Sequence, residues 1–293
     1  MDKRKVLFVV NPVSGGISKD RFVRELANAI DKSTLQAEIT VTRAAAETML
    51  AAKQAANASF DVVVACGGDG TINCIASQLT DSQTALGIIP MGSGNGFARA
   101  LKSPFKLDEA LNVLQHGSVN QIDAGMMNAN FFINIAGIGF DAHIAGKFHN
   151  SQRRGLSTYT SLVLKEFLRY RPELYRIQSG EYTFEGQSFF TAVCNGSQFG
   201  NDFTIAPQAD MKDGMLELID VKKPSILQVP RLALNALQRK FDANALVSSM
   251  QGNLFTIERE KEGLVNIDGE PLEMGMRLEF KVKPCALRVV CQN

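Results

Sequence analysis

The sequence predicts two domains. Residues 1–122 read as an α/β domain on a parallel sheet, and residues 123–283 as an antiparallel β-sandwich, with a last strand at about 284–293 free to return to the first. Three observations predict this. Short apolar runs alternate with helix-period segments through the first third, as in parallel strands covered on both faces. After about residue 120 the rhythm becomes short strands divided by closely spaced turn residues. The 293-residue length suits two domains of roughly 100–200 residues each. The boundary is a change of pattern, with no Gly/Ser-rich linker and no internal repeat.

Residues 6–10, Val-Leu-Phe-Val-Val, stop at Asn11-Pro12 and form the first expected strand. Over 19–31, Phe22, Leu26, Ala29 and Ile30 share one helical face. A strand over 37–42 and an Ala-rich helix over 44–56 follow. Val62-Val63-Val64-Ala65 reads as a buried strand that breaks at Gly67-Gly68. Helix resumes from Thr71, strand over 85–89, and helix over 96–101 and 107–115. In the second half, two strand-like runs flank Asn128-Ala129-Asn130. Residues 181–195 read as a hairpin turning near Glu185-Gly186. Strands are expected at 215–221, 254–258, 263–267, 277–282 and 287–290, and helices at about 156–170 and 225–241.

Composition narrows the function. Thirty-one Lys+Arg stand against 30 Asp+Glu, net +1, which leaves no electrostatic footprint for a nucleic-acid binder. Hydrophobic residues at 45% and charged residues at 21% are those of a folded chain. The five cysteines form no Cys-x-x-Cys pair, which suits free thiols in a reducing compartment. The three histidines lack zinc-site spacing. The basic start and its short apolar run are expected to form a buried first strand rather than a leader, and no stretch approaches the ~18 apolar residues of a spanning helix. A soluble, cytoplasmic protein is expected, with docking on the inner membrane face left open.

Three glycine-rich turns follow three strands of the first domain: Asn11-Pro12-Val13-Ser14-Gly15-Gly16, Gly67-Gly68-Asp69-Gly70-Thr71-Ile72-Asn73, and Pro90-Met91-Gly92-Ser93-Gly94-Asn95-Gly96. One such turn is usually a tight connection. Three at the carboxyl edge of one parallel sheet converge, and their N–H groups suit phosphate oxygens. Asp69 inside the second turn would repel a polyphosphate unless Mg²⁺ or a sugar hydroxyl intervenes. The P-loop pattern, Gly-x-Gly-x-x-Gly in the first turn, and Gly-x-Ser-x-Gly are absent.

Gly67-Gly68-Asp69-Gly70-Thr71 after an apolar strand resembles the nucleotide-binding signature of the diacylglycerol kinase catalytic domain family, which includes bacterial soluble lipid kinases and sphingosine kinases. Asn11-Pro12 with Ser14-Gly15 resembles its first motif, and Gly92-Ser93-Gly94-Asn95 with Phe97-Ala98-Arg99 its third. The likeness continues through Asp123-Ala124-Gly125, Gly137 to Ala142, Asp213-Gly214-Met215-Leu216 and Asp268-Gly269-Glu270. Asn95 is followed by Gly96, where bacterial diacylglycerol kinases of this type usually carry an acid, so the third motif is closer to sphingosine-kinase-like members.

The resemblance implies a NAD kinase- or phosphofructokinase-like nucleotide domain, a β-sandwich lipid-binding domain, and ATP between them. It implies ATP contacts at Asn11, Ser14, Thr42, Gly67, Gly68, Asp69, Gly70, Thr71, Ile72, Asn73, Gly92, Ser93 and Asn95. Asp268 matches the proposed general base. Asp213, with the carbonyls of Asp210 and Met215, matches a Mg²⁺ site, and Arg99 and Asp123 a polar network. On pattern alone, Asp268-Gly269 is a hairpin turn, Asp213-Gly214 a turn, and Asp141 a shaping residue. The implied activity is ATP- and Mg²⁺-dependent phosphorylation of a lipid hydroxyl, with Asp69 as a further catalytic residue through the metal. The alternatives are a kinase of a soluble acceptor and an ATP-sensing module without turnover; a homodimer is left open. Basic residues beside apolar helical positions at 156–170 and around 225–241 suit either an anionic membrane or a solvated helix face.

Overall fold

A computed structural model describes residues 3–11, 19–92, 94–151 and 156–292. The chain divides into two compact units, residues 1–122 with 285–293, and residues 123–284.

The first unit alternates strand and helix: β1 (Arg4–Val10), α1 (Lys19–Ala29), β2 (Leu35–Val41), α2 (Ala45–Asn57), β3 (Val62–Gly67), α3 (Asp69–Leu79), β4 (Ala85–Pro90), α4 (Gly96–Ala100) and α5 (Leu107–His116). The strands lie parallel in the order β2-β1-β3-β4. β3 and β4 are buried along their whole length, the consequence of helices on both faces. Val6, Phe8, Val10, Val62, Val64 and Cys66 pack with Phe22 and Leu26 of α1 and Leu111 and Leu114 of α5. The alternate residues point to the other face, where α2 and α3 pack together.

The second unit begins within β5 (Ser118–Met127) and continues through β6 (Asn130–Phe132), β7 (Ile135–Gly139), α6 (Phe140–His149), α7 (Leu156–Phe167), β8 (Glu173–Ser179), β9 (Tyr182–Ser188), β10 (Phe190–Cys194), β11 (Leu216–Val221) and α8 (Val229–Leu237). β12 (Val247–Gly252), β13 (Leu254–Arg259), β14 (Gly263–Ile267), β15 (Glu270–Met274) and β16 (Arg277–Cys291) complete it. One antiparallel sheet runs β12-β11-β10-β7-β14-β15. β8 pairs β9 and β13, and β13 pairs the first part of β16. Ala136, Ile138, Val193, Leu218 and Val265 of the first sheet share a core with Tyr175, Ile177, Phe255, Ile257 and Phe280. This is the expected sandwich.

Two expectations are corrected. Glu185 and Gly186 do not turn a hairpin: they lie inside β9, paired with Arg176 and Tyr175. The turn is at Gly180, with φ 57°, and β10 belongs to the other sheet. Gly186 has a packing reason instead, since a Cβ there would come within 2.7 Å of the Phe184 ring. The runs at 277–282 and 287–290 are one strand, which changes units at Cys285 (φ 50°) and returns Val289 beside Leu86 of β4 in parallel register. Residues 140–149, where no element was expected, form α6.

Candidate active site

Parallel register brings the first unit's turns together. Val10 lies level with Val41 and Cys66, and Gly67 with Pro90. The residue after each strand donates its N–H across to the neighbour: Thr42 to Val10 O (3.1 Å), Asn11 to Cys66 O (3.1 Å), Met91 to Gly67 O (2.8 Å). Side chains then tie one turn to the next. Asn11 Nδ2 donates to Thr71 Oγ1 at 3.0 Å. Phe97 N–H donates to Asp69 Oδ1 at 3.2 Å. The second and third turns touch so closely that a Cβ on Gly92 would lie 2.8 Å from Gly68 Cα.

α3 starts at this edge with no side-chain cap on Gly68. Its first N–H groups and the positive end of its dipole suit an anion. Ile72 is fully buried in the core and Thr71 nearly so, and the Ile72 N–H already donates to Gly68 O at 3.1 Å, so the free donors of this turn lie before Ile72. Asn73 and Gly70 are half-buried. Thr42 is buried, its hydroxyl 2.8 Å from that of Thr48. Asn95 holds the left-handed N-cap of α4 (φ 50°), a conformation asparagine tolerates. Its side chain accepts from Gly92 N–H and donates to Gly92 O, so it shapes the turn it sits in. Burial raises the Asp69 carboxyl above its usual range, opposed by N–H bonds from the start of α4. Arg99 donates from Nε to Gly94 O and stacks on Phe105. Ser14 and Ser93 lie outside the described residues.

In the second unit, Asp268 and Gly269 are the two residues between paired Ile267 and Glu270, both at positive φ (50° and 94°). That is the type I′ hairpin expected of Asp-Gly. The Asp268 carboxylate is buried and accepts three N–H groups at the entry to β7. Ile133 donates to Oδ2 at 2.8 Å, and Asn134 and Ile135 to Oδ1 at 2.9 Å each. Asn266, two residues earlier, accepts from Gly269 N–H and donates to Asp141 Oδ2 at 2.8 Å. Burial pushes the Asp141 carboxyl up to about 6, against the pull of Asn266.

The whole-chain comparison decides the family. A "Probable lipid kinase YegS-like" of Pseudomonas aeruginosa (strain UCBPP-PA14) is 31% identical over 297 residues, covering 99% of this chain and 95% of its own. The chain belongs to the diacylglycerol kinase-like lipid kinase family. The diacylglycerol kinase catalytic domain matches residues 5–127, and the YegS C-terminal NAD kinase beta sandwich-like domain residues 134–291. The Bacillus subtilis (strain 168) diacylglycerol kinase is 29% identical over 91% of this chain and 90% of its own. The crystal structure of a diacylglycerol kinase from Bacillus anthracis str. Sterne has the same fold, with a TM-score of 0.75 at 19% identity over 100% of this chain and 98% of that one.

In this lipid kinase family member, Asp210, Asp213 and Met215, where the resemblance implies a Mg²⁺ site, lie in the loop before β11. Asp210 and Asp213 are exposed and Met215 half-buried. Asp210 Oδ1 accepts from Lys212 N–H, and Asp213 Oδ1 from Met215 N–H. The second oxygen of each carboxylate and the nearby carbonyls are hard oxygen donors of the kind that would suit Mg²⁺. Among the described residues, no three His, Cys, Asp or Glu side chains gather around a metal position. Asp123 clamps the loop: it donates to Met211 O and accepts from Gly214 N–H at 2.7 Å. Asn195 connects this clamp to Asp268. Its amide donates to Asp123 O and to Ile133 O (2.9 and 2.7 Å), and Ile133 N–H bonds Asp268. Sequence reasoning missed Asn195 and Asn266. The available signal was a lone amide at the end of one buried strand and inside another.

Proposed function

We propose that this family member is an ATP- and Mg²⁺-dependent kinase that transfers the γ-phosphoryl group to the hydroxyl of a diacylglycerol-like lipid or a sphingoid base, working at the cytoplasmic face of a membrane. The observation that carries the reading is the gathering of Asn11, Thr42, residues 67–73 and the Gly92–Asn95 turn at one sheet edge, with α3 beginning uncapped among them. Backbone donors so placed bind phosphate oxygens without side-chain charge. Ser14 and Ser93 join this set by motif. The relatives named diacylglycerol kinase support a lipid acceptor.

Mg²⁺, when bound, neutralises charge on the transferring phosphates. Asp69 would hold it through the carboxylate oxygen that does not accept from Phe97. Asp210, Asp213 and the Met215 carbonyl would hold an ion in the second unit. Asp268 accepts the proton of the lipid hydroxyl. That oxygen bonds to the γ-phosphorus, the bond from phosphorus to the β–γ bridging oxygen breaks, and ADP leaves with its electron pair. Three N–H donors, from Ile133, Asn134 and Ile135, fix the orientation of that carboxylate. Phosphoryl transfer asks mainly for positioning, so an oriented carboxylate suffices.

The test uses purified protein, γ-labelled ATP, and diacylglycerol or a sphingoid base in mixed micelles. Label should pass to lipid. Transfer to soluble acceptors alone, or ATP binding without transfer under any divalent metal, would replace this reading with one of the two alternatives.

A further inference from the structure

α8 and its flanks carry apolar side chains on the outside. Ile226, Leu227, Leu234 and Leu237 are 62%, 87%, 53% and 56% exposed, while Ala236 is buried and Leu232 packs on the core. Arg231, Leu234 and Leu237 recur every three residues and share the outward side. Exposed apolar side chains repeated along one short segment mark a candidate interaction site.

The charge pattern says what covers it. Residues 222–241 contain five cations, Lys222, Lys223, Arg231, Arg239 and Lys240, and no carboxylate. Lys222, Arg231, Arg239 and Lys240 form no ion pair among the described residues. Arg239 is held at φ 57°, where a helix end usually places glycine. The flanking acids turn elsewhere: Asp220 is buried against Thr191, and Asp242 accepts from Gln208. Lys223 donates to Tyr170 O just beyond α7, and α7 adds the exposed Leu164.

We propose that α8 docks this protein on an anionic lipid bilayer, Leu227, Leu234 and Leu237 entering the headgroup–acyl boundary and the surrounding Lys and Arg meeting lipid phosphates. This rests on the lipid-kinase reading and names the surface by which the enzyme reaches its substrate. An outward apolar face ringed by cations is the pattern of an interfacial helix. A second copy bound through the same face would set these cations against each other.

Flotation of the full chain with phosphatidylcholine vesicles, with and without phosphatidylglycerol, tests this. The parent should bind only the anionic vesicles. A Leu227→Ser/Leu234→Ser/Leu237→Ser variant, and separately Arg231→Glu/Arg239→Glu, should each bind about tenfold more weakly or worse. Both should keep the parent's melting temperature, and the parent's transfer rate to a short-chain lipid acceptor in detergent. Equal binding by parent and both variants overturns the proposal. So does a parent that ignores vesicles but forms a dimer the variants lose. A parent that binds anionic vesicles through α8 yet phosphorylates no lipid upholds the surface and removes the kinase reading, so the two fail separately.

Discussion

At Asp268 two demands meet in one carboxylate. The Asp-Gly pair turns the β14–β15 hairpin, and the same side chain collects three N–H bonds from the entry to β7. Asp268→Asn should lower kcat by about 10²–10⁴ and leave ATP affinity unchanged. It should also lower stability by about 1–3 kcal/mol, because an amide cannot accept all three donors. Kinetics with a denaturant melt check both; a fully active variant removes Asp268 as the base. Asp141 gives a pH prediction. Its folded pKa of about 6 lies above the ordinary 3.8, so the folded chain holds this proton more tightly. The stability it contributes is full below about pH 4 and is lost as pH rises through 6. Asp141→Asn, which does not ionise, should gain on the parent across that window by on the order of 2–3 kcal/mol. A constant difference in melts from pH 4 to 7 would contradict it. Residue-scale chemistry was only half legible. Asp69 and Asp268 stand out in glycine turns, but Asn195 and Asn266 act on Asp123 and Asp141, 72 and 125 positions away, and nothing local records such a pairing.

The elements were legible where one force dominates. β3 and β4 are apolar throughout because both faces are covered, and each ends in glycine or proline. Packing overrode local signals elsewhere: Gly186 looks like a turn but makes room for Phe184 inside β9, and α6 begins straight after Gly139, whose φ of 82° reads as a bend. The turns themselves leave little slack. A Cβ on Gly67 would lie 2.4 Å from Thr71 Oγ1. Gly67→Ala should therefore displace the start of α3, lower stability by about 1–3 kcal/mol and weaken ATP binding. Gly70→Val, in the first turn of α3, should weaken ATP binding by at least about tenfold. Calorimetric titration measures both, and parental affinity in the Gly70→Val protein would contradict the phosphate assignment.

At the scale of the whole molecule, β16 starts in the sandwich and ends beside β4, so the chain closes the unit it opened. The change of rhythm near residue 120 made the fold class readable, and a last strand free to return to the first unit was expected; its continuity with the run at 277–282 was not legible, because Pro284 and Cys285 part the two apolar runs. No helix of the described residues is long and apolar enough to cross a membrane. The surface contact proposed for the lipid chemistry is α8. Chelating divalent cations should abolish phosphoryl transfer, and added Mg²⁺ should restore it. The most direct measurement is mass spectrometry of a mixed lipid extract incubated with the purified protein, ATP and Mg²⁺, beside the Gly70→Val protein. A lipid that gains one phosphate with the parent and not with the variant is the predicted result. An extract left unphosphorylated while ATP is bound, or equal product from both proteins, would contradict the glycine turns as the seat of catalysis.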